Sequence, residues 1–228
     1  AQAFVEMQEA GFAAVAEFHY VHHQPGGAAY ADPAELSARI IAAASDAGIG
    51  LTHLPVLYSY GGAAMLPLAG GQLRFGNDVD SFARLLDAVR GHGAEMPADT
   101  VVGIAPHSLR ATSPDDLARA LPLANGGPVH IHIAEQPAEV EAISGWLGAR
   151  PVEWLLANAP VGRDWCAIHA THMTPSEAAG LAATGAVAGL CPITEANLGD
   201  GPFDGSAWLA AGGASGAARR RRGGRPRR

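Results

Sequence analysis

Residues 130–136 read HIHIAEQ, two histidines one residue apart and a glutamate three residues after the second. A neutral imidazole is a good zinc ligand. A carboxylate beside it can take a proton from an attacking water and return it to a leaving amine. If this stretch is extended, His130 and His132 share one face, and Val129, Ile131 and Ile133 take the other. Glu135 would then point away from His132, so the backbone has to turn near Ala134 for both side chains to serve one site. The spacing equally suits a core histidine bonded to neighbouring backbone, with Glu135 capping the helix that follows.

The residues around it favour chemistry. His169, in CAIHATHMTPSE, ends the next apolar run and could converge on the same place, whereas His172 sits in the loop beyond and reads as a supporting or surface residue. His107 and Arg110 lie in APHSLR at the end of another run. By itself Arg110 reads as a solvated arginine in a loop leading to a helix. No H-E-x-x-H motif occurs, nor the H-x-E with P-C-x-x-C of cytidine-type deaminases. His22 and His23 fall in a Gly/Pro-bearing loop and read as loop polar groups. His53 lies inside a run and His92 in a turn, neither joined to a motif by its spacing, and Cys191 reads as a small buried residue.

Six apolar, β-rich runs carry these residues: 13–19, 50–57, 100–107, 128–135, 164–170 and 185–193. Helical patterns separate them. Asp32-Pro33, Ser113-Pro114 and Thr174-Pro175 open helices with a capping side chain followed by proline. Leu36, Ile40 and Ala44 would form one buried face, and Gly48 would stop that helix. Phe82, Leu85, Leu86 and Val89 mark another helix, and Val140, Ile143 and Leu147 a third. Runs alternating with helices define consecutive βα units on a parallel sheet, whose working residues sit where the strands end. No G-x-G-x-x-G opens a helix, which disfavours a dinucleotide fold. The expected fold is therefore α/β, an incomplete (β/α)8 TIM-type barrel.

The 228 residues carry 15 basic and 22 acidic side chains. Every basic residue is arginine, and seven of them fall in the last ten positions, RRRRGGRPRR. Residues 1–218 thus hold 8 arginines against 22 acids, a formal charge of −14. Such a body is a poor nucleic-acid surface. A domain over 1–213 and a disordered Arg/Gly-rich tail over 214–228 are expected. Two cysteines without a C-x-x-C pair fit a reducing compartment. With no signal-type or membrane-spanning run, a cytoplasmic location is expected, with no membrane partner.

Five ordered stretches, EFHYVHH, APHSLR, HIHIAEQ, HATHMT and GLCPITEANLGDG, resemble the formimidoylglutamate deiminases of the metal-dependent amidohydrolase superfamily, over Ala1 to about Gly213. The resemblance implies hydrolysis of N-formimidoyl-L-glutamate to N-formyl-L-glutamate and ammonia in histidine degradation. It implies one zinc ion, with His132 as a metal ligand, Glu135 as proton shuttle and His169 orienting the nucleophile. It assigns Tyr20, His107 and Arg110 to substrate. It also implies two further metal ligands from an H-x-H on a first strand and an aspartate on a last strand, neither found here. On that basis the chain holds strands 2 to 7, lacks both ends, binds zinc weakly if at all, and is an inactive fragment. Its partner is the small-molecule substrate, with a homodimer left open. The alternatives are a related deaminase acting on a cyclic amidine or nucleobase, and a noncatalytic remnant with an anion-binding tail.

Overall fold

The computed structural model describes residues 1–97 and 99–215, so most of the tail, 216–228, lies outside the described residues. All six runs contain strands: β1 (Ala14–His19), β2 (Gly50–Leu57), β3 (Val101–Val102) with β4 (Ala105–Pro106), β5 (Val129–Ile133), β6 (Trp165–His169) and β7 (Val187–Gly189). The third run is split at Gly103, where a Cβ would collide with the carbonyl oxygen of Pro128. Only glycine admits that close a backbone approach.

Among the described residues every strand pairing is parallel, and β2 pairs with both β3 and β4 of the split third run. The two four-stranded sheets meet where His130 N–H donates to Ile104 O at 3.0 Å and His132 N–H to His107 O at 2.9 Å. Ala214–Ser215, expected to belong to the tail, instead form β8, which pairs with β7. On its other side β1 has no strand among the described residues, and Ala14 and Ala16 are exposed.

The helices are α1 (Gln2–Glu9), α2 (Glu35–Ala47), α3 (Val79–Gly91), α4 (Pro114–Ala120), α5 (Pro137–Leu147), α6 (Pro151–Asn158), α7 (Pro175–Thr184), α8 (Pro192–Leu198) and α9 (Gly205–Ala210). Ser113 Oγ accepts from Asp116 N–H at 3.1 Å, and Thr174 and Glu177 form a reciprocal capping box. Asp32 behaves differently from expectation. Its Oδ1 accepts from Ala34 N–H at 2.8 Å, capping a turn, and the helix begins only at Glu35. The buried stripe of α2 is accordingly Ser37, Ile41 and Ala44 rather than Leu36, Ile40 and Ala44, while Gly48 ends the helix in the left-handed region as expected. In α3, Phe82, Leu85, Leu86 and Val89 are all buried.

Alternation along β5 divides the interior. Val129, Ile131 and Ile133 enter the main core with the helices. Leu54, Val56 and Ala105, with Phe18, Tyr20 and Tyr58 packed on them, make a smaller core on the other side of the strands. His53, adjacent to Leu54 in an extended strand, faces away from that smaller core, and its ring lies 5.1 Å from that of His19. No helix among the described residues is long and apolar enough to cross a membrane.

Candidate active site

The required turn is present at Ala134, whose φ of 49° lies in the left-handed region. That conformation is costly for a residue with a Cβ, by about 1–2 kcal/mol, and it needs support. Glu139, in the first turn of α5, supplies it: its carboxylate accepts from Ala134 N–H at 3.2 Å and Glu135 N–H at 2.9 Å. Glu135 is thereby turned back over the end of β5. Its Oε1 lies 3.3 Å from Nε2 of His169, and its Oε2 accepts from Arg110 Nη2 at 3.0 Å.

His132 stands beside this pair, its ring stacked on that of His169 with centroids 5.4 Å apart. Its Nδ1 lies 3.1 Å from the His107 carbonyl oxygen. A carbonyl can only accept, so Nδ1 carries the hydrogen and Nε2 keeps its lone pair. Burial, reinforced by the nearby His169 and Arg110, pushes the imidazole down to about 3, and so holds it neutral. Nε2 faces the Tyr20 hydroxyl at 3.4 Å. Burial and the Glu135 carboxylate push that phenol up, so it stays protonated.

His107 lies 4.9 Å from His132, ring to ring, with its Nδ1 2.8 Å from Ser108 Oγ. Burial and the neighbouring His132 and Arg110 also keep it neutral. The six residues expected to act, Tyr20, His107, Arg110, His132, Glu135 and His169, therefore form one connected group at the ends of four strand runs. His130 lies deeper along β5 and is buried, with its imidazole pushed down to about 4 by burial. His172 supports the rim: its Nε2–H donates to Asp200 O at 2.7 Å.

Two acids were not anticipated. Glu139 sits two residues after Pro137, a spacing that signals a capping carboxylate. Glu195, in α8, is buried at 6% exposure; its Oε1 accepts from Cys191 N–H at 2.9 Å and lies 3.0 Å from Nδ1 of His169. The sequence of 194–201 carries no local sign of that long-range contact. Arg110 is also more engaged than expected. Besides Glu135 it approaches Glu139 Oε2 at 3.7 Å, while its buried Nε has no acceptor among the described residues.

Among the described residues no group of three or more His, Cys, Asp or Glu side chains is disposed to hold a metal ion. His132 Nε2 is a correctly prepared donor, but one imidazole does not make a zinc site. The residues present do not by themselves fit the metal.

This chain belongs to the amidohydrolase family, whose model matches residues 1–213. Among curated proteins it is 52% identical over 213 residues to the formimidoylglutamate deiminase of Pseudomonas aeruginosa, a match covering 93% of this chain and 47% of the relative. The crystal structure of an amidohydrolase from Brucella melitensis superposes with a TM-score of 0.90 at 50% identity, over 93% of this chain and 47% of that one. The atrazine chlorohydrolase of Arthrobacter aurescens, solved with zinc, shares the fold at 18% identity and a TM-score of 0.74, over 94% of this chain and 47% of its own. The chain spans about half the length of the Pseudomonas aeruginosa deiminase.

Proposed function

We propose that residues 1–213 form the acid–base and substrate-binding half of a formimidoylglutamate deiminase site, built on strands 2 to 7 of an eight-stranded barrel. The observation that carries this reading is the meeting of Glu135 with His169 Nε2 at 3.3 Å and Arg110 Nη2 at 3.0 Å. The 52% identity to the Pseudomonas aeruginosa deiminase supports the choice of substrate.

In this reading Arg110, with Nε still lacking an acceptor, receives a carboxylate of the glutamyl moiety. His107 and Tyr20 line the approach. Water adds to the formimidoyl carbon, and Glu135 takes the proton that it gives up. Glu135 returns that proton to the imino nitrogen and then carries the adduct's remaining O–H proton to the same nitrogen as the C–N bond breaks, so that ammonia leaves and the carbonyl of N-formyl-L-glutamate forms. His169 holds the other side of that proton path. His132 offers one nitrogen to zinc. Since one donor holds such an ion weakly, no step is assigned to a metal, and this chain alone is inactive. The acidic body fits a cytoplasmic enzyme of small-molecule metabolism rather than a nucleic-acid or membrane partner, and Ala214–Ser215 extend the domain by one short strand.

An exchange tests this. Residues 1–213 replace the matching segment of the Pseudomonas aeruginosa deiminase, and ammonia release from N-formimidoyl-L-glutamate is measured. The chimaera is expected to turn over and to lose activity with Glu135→Gln. A folded, zinc-loaded chimaera that ignores this substrate but deaminates a purine nucleoside would overturn the assignment.

A further inference from the structure

We propose that Glu195 is a positioning residue for His169, holding its Nδ1–H so that Nε2 stays directed at Glu135. The role rests on the deiminase reading for its purpose, but its geometry is independent of any turnover. His169 lies at the end of β6 with φ 68°, followed by Ala170 with φ 50°, two successive left-handed residues that bear a Cβ. Strain of this kind persists only where surrounding contacts over-determine it. The backbone contributes the Ala170 N–H, which donates to Ile133 O and to Ile168 O, both at 3.0 Å. The ring itself has two polar contacts, Nδ1 to Glu195 Oε1 at 3.0 Å and Nε2 to Glu135 Oε1 at 3.3 Å.

The two contacts are not equivalent. Glu195 is 6% exposed, and the same Oε1 that faces the imidazole is fixed by the Cys191 amide at 2.9 Å. That oxygen cannot swing away without leaving the part-buried Cys191 N–H unpaired. Glu135, by contrast, is shared with Arg110, and its carboxylate can exchange partners. The fixed acid on one ring nitrogen therefore selects the tautomer, and the exchangeable acid on the other meets the proton that moves. The helix α8 that delivers Glu195 begins at Pro192, directly after the Cys191 that anchors it, so that oxygen couples the start of the rim segment 191–200 to the site, while Asp200 at its end is held by His172 and Gln136.

The test uses the 228-residue chain itself, with 15N-labelled histidine, and reads the tautomer by one- and two-bond 1H–15N correlations, His169 being assigned by loss of its signals in His169→Gln. The unaltered chain is expected to show a protected Nδ1–H. Glu195→Gln keeps the accepting Oε1 and is expected to retain that signal. Glu195→Met keeps the volume without the acceptor and is expected to lose it. A bare Nδ1 in the unaltered chain overturns the proposal without any variant, as does a Met variant with the signal unchanged. Should the Met variant fail to fold, loss of the signal in folded Glu195→Gln is equally decisive against it. Because none of these readings needs catalysis, a folded, zinc-loaded chimaera that deaminates only a purine nucleoside would sink the deiminase assignment and leave this one standing.

Discussion

Arg110 Nη2 donates to Glu135 Oε2 at 3.0 Å, so the residue assigned to the substrate's carboxylate is already paired with the residue assigned to the proton. An arriving carboxylate competes for that guanidinium. Its arrival would loosen Glu135 from Arg110 and leave it to His169, so binding and acid–base readiness are linked through one cation.

This makes Arg110→Lys informative in the chimaera. Lysine keeps the charge but loses the planar fork. Loss of one charge-assisted hydrogen bond, about 1.5–3 kcal/mol, corresponds to a rise in KM of about ten- to a hundredfold. Steady-state kinetics on N-formimidoyl-L-glutamate check it, and an unchanged KM would remove Arg110 from the substrate's contacts.

Glu139 is a matter of stability. Its side chain is fully buried, accepts two backbone N–H groups and faces Arg110. Burial raises its pKa, with Arg110 pulling the other way. Glu139→Ala leaves both donors and part of Arg110 unsatisfied and is expected to cost about 2–4 kcal/mol, measured by urea unfolding at pH 7.

Acid should weaken the fold through its buried histidines. Burial lowers His19 to about 3, His22 to about 3 and His53 to about 4, with neighbouring imidazoles adding to the effect. An unfolded histidine protonates near 6.5. Between that value and the folded ones the unfolded chain binds more protons, so stability is complete above about pH 7 and declines as pH falls. Each such histidine contributes on the order of 1 kcal/mol per pH unit in that window. Both ring nitrogens of His53 are without partners among the described residues. Urea midpoints at pH 7.5 and pH 5 should therefore differ less in His53→Leu than in the unaltered chain.

The two thiols should differ in reactivity. Burial pushes Cys166 up to about 12, and Cys191, less enclosed, is raised to a smaller extent. A thiol reagent applied to the native chain at pH 8 should modify Cys191 first and reach Cys166 only on unfolding. Simultaneous loss of both under native conditions would count against the burial of β6.

Much of this was legible in order along the chain. Ser113-Pro114 and Thr174-Pro175 announce their helices because capping is a local matter, and the alternation of His130 and His132 with three apolar residues fixes which face of β5 they share. The turn at Ala134 was legible for a different reason, since period-two geometry leaves Glu135 on the wrong side without it. The contacts of Glu195 and Arg110 were not. They join residues 26 and 25 positions apart through the curvature of a sheet, and no spacing rule encodes that. Asp32 misled because a side chain that caps a turn and one that caps a helix follow the same local pattern.

One flank of β1 has its own implication for handling the molecule. Amide and carbonyl groups alternate along it with little more than alanine standing guard at Ala14 and Ala16. Any extended polypeptide laid alongside gains a ladder of backbone bonds and displaces almost nothing. Purification yield and apparent size should therefore vary with protein concentration, and a short complementary peptide could serve as a solubiliser.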